Sequence, residues 1–269
     1  MTTSRSTPRM RLFQQGPLEV FRTDVGFDVM HGDDIAVAVD HGGVVVETDV
    51  ADTADARQRF DAVVLVVVRA LQERLRGRFH VHAGAVVIQR GCVLIAGVAG
   101  QGKTTTTLAL EAAGARRCGD DVVFVYRDGD RVVGRAWSRP LHVGDATLAM
   151  FPTLAAHVVE GQSLAGKAIV HAGGDEQERA VLGVIFPTID RRVFSTTSAT
   201  TLSTSEAMLR LLPASAMVGW PQLAFAQEHL DTLAALSSTT SVALTIGADA
   251  LRAPARIVAA LRVVVGALR

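Results

Sequence analysis

Gly97-Val98-Ala99-Gly100-Gln101-Gly102-Lys103-Thr104 carries the spacing G-x-x-x-x-G-K-[ST]. Each position has a physical task. The glycines permit a tight turn, so that consecutive backbone N–H groups converge on an anion. A helix opening at Lys103 aims its positive dipole end at the same point. Lys103, read as lying at a solvent-facing loop-to-helix junction, is suited to neutralise the β- and γ-phosphates of a nucleotide. The Thr104 hydroxyl is suited to ligate Mg²⁺. With Thr105 these eight residues form the expected nucleotide-binding set. A chance glycine-rich turn is the alternative. The apolar strand before the loop and the helix after it argue against that. Lys103 is also one of only two lysines, with Lys167, in a chain otherwise furnished with arginine.

Asp120 and Asp121 follow, just ahead of the apolar run that starts at Val122. Adjacent carboxylates can divide labour: one holds a metal, the other takes a proton from an attacking hydroxyl. The bland alternative is a solvated turn entering a strand. Upstream, His80 and His82 share one strand face, since side chains alternate with period two. His82 is read either as lying near the phosphates, tuning an aspartate, or as a rim histidine bonded to backbone. His142, His157, His171 and His229 show no metal-ligand spacing. Trp137, Arg139 and the Arg191-Arg192 pair are weaker candidates to touch nucleotide or substrate. The Ser/Thr-rich stretch 195–205 reads as a loop.

In their order and spacing, His82, Gly97–Thr104, Gly114 and Asp120-Asp121 resemble the catalytic domain of the HPr kinase/phosphorylase family. The likeness is specific over about residues 80–126. It lies nearer to the shorter related kinases, some acting on peptide natural-product precursors, than to the true HPr enzyme. The resemblance implies an α/β fold: a P-loop nucleotide-binding domain of the HPr kinase/phosphoenolpyruvate carboxykinase type, with a mixed central sheet. It implies Asp120, Asp121, Lys103 and His82 as the catalytic group, with Thr104 and one aspartate on the metal and the other aspartate as the base. The resemblance leans to Asp120 on the metal and Asp121 as base, and the order of the pair stays open. It implies ATP and Mg²⁺ as cofactors and a phosphotransferase acting on a serine-type hydroxyl of a protein or peptide. The segment with Glu and Arg-Gly that follows the Asp pair in the true enzyme has no counterpart between Arg139 and Pro152. That departure leaves the second metal ligand, the HPr-docking features and reverse phosphorolysis open.

The elements needed to position these groups are legible in outline. Residues 18–49 read as short strands, with a hairpin signal at His41-Gly42-Gly43. Thr53 is placed to cap a helix running to about Arg76, although the Val63–Val68 run leaves a strand open for its middle. Val81–Ile88 and Cys92–Ile95 form a hairpin around Gln89-Arg90-Gly91 that feeds the glycine-rich loop. Residues 103–113 are a helix stopped by Gly114. Val122–Tyr126 and Arg131–Trp137 pair across Asp128-Gly129-Asp130. Residues 141–172 read as loop-rich around Pro152, Gly161 and Gly166, a candidate grip for the acceptor. Val181–Phe186 and Ser241–Ile246 are strands. Ser205–Leu212, Gln222–Leu236 and Ala250–Leu268 are helices, the last amphipathic with Pro254 in its first turn. The division expected is a short β-rich N-terminal segment over 1–60 and a kinase-like P-loop domain over 61–269.

Composition sets the outer limits. Hydrophobic residues make up 49% of the 269 and charged residues 20%, enough to build a core and to exclude wholesale disorder. Lys+Arg and Asp+Glu balance at 27 each. No overall electrostatic grip on nucleic acid or an acidic membrane is expected. Cys92 and Cys118 show neither CxxC nor Cys/His spacing, which argues against a disulfide scaffold or zinc site. The longest apolar run, Ala62–Val68, is too short to span a bilayer. The first ten residues read as a mobile tail without a signal-peptide core, and a cytoplasmic protein is expected. Expected partners are ATP and a hydroxyl acceptor, without nucleic acid or membrane; homo-oligomerisation stays open. Two further functional readings stay open: a kinase for a small hydroxylated metabolite, and a nucleotide-binding regulatory protein with little or no catalysis.

Overall fold

The computed structural model describes residues 9–164, 166–170, 173–215 and 226–264. Most of the expected N-terminal tail, His171, residues 222–225 of an expected helix and the last residues of the expected C-terminal helix lie outside the described residues. The chain divides into two compact units. One runs to His80 and includes the later segment ending at His229. The other comprises Val81–Ser215 and the chain from Leu230 onward.

The first unit is an antiparallel meander, β1 (Met10–Gln15), β2 (Leu18–Arg22), β3 (Gly26–His31), β4 (Ile35–Asp40) and β5 (Val45–Val50), in sequential order. In β4, Ile35, Val37 and Val39 are buried while their neighbours are half-exposed, the period-two pattern of a sheet with one covered face. The cover is helical. Thr53 caps α1 (Ala54–Arg59) by accepting the Ala56 N–H. A π-helical turn over Phe60–Val64 then leads into α2 (Leu65–Arg74). Val64, Val67, Val68 and Leu71 form one stripe at helical spacing and pack against Val20, Val29, Ile35 and Val37. That burial outweighs the β-preference of the valine run, so the strand left open there does not form. It also moves the division between units from the expected residue 60 to His80: the helix after residue 60 shares its core with the N-terminal strands.

In the second unit, β6 (Phe79–Val81) straddles the division. β7 (Ala83–Ile88) and β8 (Gly91–Ala96) form the expected hairpin, register Ala83↔Ala96 to Ile88↔Gly91. After the glycine-rich loop comes α3 (Lys103–Ala112), then β9 (Arg116–Gly119) and the hairpin β10 (Val123–Asp128)/β11 (Arg131–Ala136). β12 (Leu141–Val143), α4 (Asp145–Met150), a 3₁₀ turn over Pro152–His157, β13 (Val158–Leu164) and β14 (Lys167–Val170) follow. The remaining elements are β15 (Arg179–Ile189), β16 (Ser198–Thr201), α5 (Thr204–Ser215), α6 (Ala226–Ser237), β17 (Thr240–Ile246), α7 (Ala248–Arg252) and α8 (Ala255–Val264).

The central sheet is mixed and ordered β10-β11-β15-β8-β7-β9, with β17 on β15 and β16 on β17. β8, β15 and β17 are parallel, so their carboxyl ends, Ala96, Ile189 and Ile246, lie at one edge. Loops at that edge are where open α/β sheets place ligands. Leu108 and Ala109 of α3 share a buried core with Val93, Ile95, Leu244 and, from α8, Ile257 and Leu261.

Three expectations are corrected. Residues 141–172 are not chiefly loop: β12, β14 and β13 make a separate three-stranded antiparallel sheet. Part of the Ser/Thr-rich stretch is the strand β16. The single helix expected over Ala250–Leu268 is broken between α7 and α8. Ala253 leaves the helical region at φ −144°, as the residue before a proline is driven to do, and Pro254 has no N–H for the preceding turn. No helix among the described residues is long and apolar enough to cross a membrane.

Candidate active site

The loop between β8 and α3 has the conformation its glycines permit. Gly100 and Gly102 adopt φ +81° and +98°. A Cβ on Gly102 would stand 2.8 Å from Ile246 Cδ1 and 3.1 Å from Ile189 Cγ1, so the loop rests directly on the ends of β15 and β17. A Cβ on Gly100 would meet nothing within 4 Å. The loop partly encloses a cavity of about 210 Å³. Ala99, Gly100, Gly102, Lys103, Thr104 and Thr105 line it; Gly97, Val98 and Gln101 do not. Those three brace the loop instead. The Val98 N–H donates to Gln101 Oε1 at 3.0 Å, and that oxygen occupies the place of a Gly97 side chain.

Lys103 departs from the solvent-facing position expected of it. Its side chain is 4% exposed and folds back under the loop to donate to the Val98 carbonyl at 3.3 Å. Burial lowers its pKa, against the pull of Asp121 and Asp120. Its Nζ lies 3.9 Å from Asp121 Oδ1. Thr105 bonds through its hydroxyl to Thr147 of α4 at 2.9 Å, tying the helix start to the far wall of the cavity.

The two aspartates occupy contrasting environments. Asp120 is buried behind Thr104 and off the cavity lining; Thr104 Oγ1 donates to its Oδ2 at 2.7 Å. Its Oδ1 is buried without a hydrogen-bond partner among the described residues. Burial, then the neighbouring Asp121, pushes the Asp120 pKa up to about 6, against the Thr104 bond. Asp121 lines the cavity with its side chain 36% exposed. Burial acts to raise its pKa, but the His82 hydrogen bond and the Lys103 charge prevail and hold the carboxyl well below the usual range. Asp121 sits at φ +67°, in a three-residue turn closed by the Val122 N–H onto the Asp120 carbonyl at 2.9 Å. Left-handed conformations at residues other than glycine cluster at functional sites.

His82 is fixed through both main chain and ring. Its N–H donates to the Ala214 carbonyl at 2.7 Å, its carbonyl accepts from Gly97 N–H at 3.2 Å, and Nε2 meets Asp121 Oδ1 at 3.2 Å. His82 lines the cavity and His80 does not. Trp137, Arg139, Arg191 and Arg192 are also off the lining. The Arg139 guanidinium lies 4.9 Å over the Trp137 ring, and Arg192 pairs with Asp190. Five lining residues had no motif to signal them: His142 and Lys167 from the small sheet, with Gly144, Thr147 and Ile189.

The donors fit a nucleotide phosphate chain and one divalent cation. Loop amides, the α3 N-terminus and Lys103 face one open volume. Because Asp120 accepts the Thr104 proton, the hydroxyl's lone pairs are left for a cation, and Asp120 Oδ1 stays available behind it. Among the described residues no group of three or more His, Cys, Asp or Glu is arranged to hold a metal by itself.

No protein-family model matches the chain. No curated protein matches it. Among solved structures it is similar to the HPr(Ser) kinase/phosphatase from Coxiella burnetii, at 16% identity and a TM-score of 0.33, covering 68% of this chain and 96% of that one.

Proposed function

We propose that this protein is an ATP-dependent kinase that transfers the γ-phosphoryl group to a serine-type hydroxyl of a protein or peptide. The observation that carries the reading is the placement of Asp121. An ionised, partly exposed carboxylate stands 3.9 Å from the P-loop lysine, on the open side of the phosphate cradle.

When bound, Mg²⁺-ATP supplies the phosphoryl group and the leaving diphosphate. The loop amides and the α3 N-terminus hold the phosphate chain, and Lys103 offsets charge on its terminal groups. Thr104 presents its oxygen to the cation, with Asp120 holding its proton. Asp121 accepts the proton of the attacking hydroxyl, and His82 keeps that carboxylate ionised and aimed. Positioning and charge supply most of the rate in phosphoryl transfer, so a site made of fixed donors and one base is chemically sufficient.

The test is incubation with γ-labelled ATP and candidate acceptors, including seryl peptides and hydroxylated metabolites, with free phosphate followed in parallel. Label on a peptide hydroxyl is the expected result. Label only on a small metabolite would replace the acceptor class. ATP binding with label on no acceptor would make the protein a nucleotide-binding regulator.

A further inference from the structure

The small β12-β14-β13 sheet brings two basic side chains to the cavity from outside the motif. β12 and β14 pair with His142 opposite Ile169, and Lys167 lies two residues before Ile169. Directly opposed residues and residues two apart share a sheet face, so His142 and Lys167 project from the same one. Both line the same cavity as Ala99, Gly100, Lys103 and Thr104. The chain's two lysines, Lys103 and Lys167, thus share one lining.

Two lysines and two histidines, Lys103, Lys167, His82 and His142, line this one cavity. Among the described lining residues Asp121 is the one carboxylate. Like charges converging on one open volume are stabilised when an anion of high charge fills it. The P-loop grips the phosphates from one side only. A group transferred to the hydroxyl beside Asp121 moves away from that grip while its charge stays spread over three equatorial oxygens.

We infer that Lys167, assisted by His142, is a second phosphate-binding arm that contacts the terminal, transferable phosphoryl group and distinguishes a nucleoside triphosphate from a diphosphate. This inference rests on the kinase reading of the same cavity. It assigns the small sheet the task of closing in the phosphoryl group.

Calorimetric titration of ATP and of ADP, each with Mg²⁺, into the full chain tests it without relying on turnover. Lys167→Met should weaken ATP by about tenfold or more, the worth of one charge-assisted contact. ADP should weaken by less than about twofold, because it offers no terminal group for the arm to reach. Lys167→Arg should restore most of the ATP affinity, and His142→Gln should act in the same direction as Lys167→Met but less. Equal weakening of ATP and ADP, or none, would overturn the inference and leave the kinase reading intact. Failure of the wild-type chain to bind either nucleotide would overturn both.

Discussion

Thr104 Oγ1 donates to Asp120 Oδ2 at 2.7 Å, so the last residue of the glycine-rich loop and the first carboxylate after β9 act on the cavity as one unit. Asp120 is otherwise buried with its second oxygen unpaired. Thr104→Ala removes the one donor to that carboxylate among the described residues. The loss should destabilise the protein by about 1–3 kcal/mol, the worth of a buried bond to a charged acceptor. The same variant should need a several-fold higher Mg²⁺ concentration for half-maximal activity, on the order of one lost oxygen ligand. A thermal melt and a Mg²⁺ titration check the two halves independently. An unchanged Mg²⁺ requirement would remove Thr104 from the metal site even if stability fell.

Gly100 and Gly102 separate two reasons for glycine in the loop. Both carry positive φ, which alone costs an alanine on the order of 1–2 kcal/mol. Only Gly102 is also pressed onto Ile246 and Ile189, at 2.8 and 3.1 Å from a prospective Cβ. The isoleucine tips can yield by a few tenths of an ångström, but only by loosening the carboxyl ends of β15 and β17. Gly102→Ala should therefore lower the melting temperature more than Gly100→Ala, and should weaken ATP binding through displacement of the loop. Equal losses from the two variants would mean that φ strain is the whole effect.

His229 gives the first unit an acid-sensitive contact away from the cavity. Its ring stacks on Phe79 at 4.7 Å, and Nδ1 lies 3.1 Å from Arg74 Nη1. Burial first, and the Arg74 charge second, lower its pKa to about 4. The folded state therefore prefers the neutral ring. Above the unfolded value near 6.5 the contribution is fully present; it is lost progressively as pH falls from there through 4. The amount at stake is on the order of 3 kcal/mol. His229→Gln keeps an acceptor for Arg74 and cannot titrate. Between pH 7.5 and 4.5 the wild type should lose about 2–3 kcal/mol more unfolding free energy than the variant in urea titrations. Parallel loss in the two proteins would place the acid sensitivity elsewhere.

The parts of the site legible in the sequence are those whose geometry is local. The loop's glycines, Lys103 and Thr104 lie in one short stretch whose spacing is dictated by backbone turns, and the Asp pair is contiguous. Lys167 and His142 gave no such signal. They reach the cavity on strands of four and three residues, too short for alternation to show, and their partnership exists only through β12–β14 pairing. The division near residue 60 missed for a related reason. Val64, Val67, Val68 and Leu71 read equally as strand or helix until the sheet they cover is known. Lys103 looked exposed because charged residues beside glycine-rich turns usually are; its stem is instead buried beneath its own loop.

Asp121 offers the sharpest separation of a kinase from a nucleotide binder. It is the ionised, cavity-facing member of the pair, while Asp120 stands behind Thr104. Asn suits the test, because it tolerates the left-handed φ of +67° that would strain most other replacements. Asp121→Asn keeps the side chain's shape and a hydrogen bond to His82, but it cannot accept the hydroxyl proton at neutral pH. General-base contributions are typically about 10²–10⁴ in rate, so kcat should fall within that range. Mg²⁺-ATP affinity should change by less than about threefold, because the cradle and the Thr104–Asp120 unit are untouched. Asp120→Asn should instead weaken Mg²⁺-dependent binding. His82→Ala should lower kcat by a smaller factor than Asp121→Asn and by more than His80→Ala, since His80 is off the cavity. The measurements are kcat and the Mg²⁺-ATP dissociation constant on each variant with one identified acceptor. Full transfer by Asp121→Asn, with nucleotide binding intact, would make the aspartate a turn residue and leave the cavity without its base.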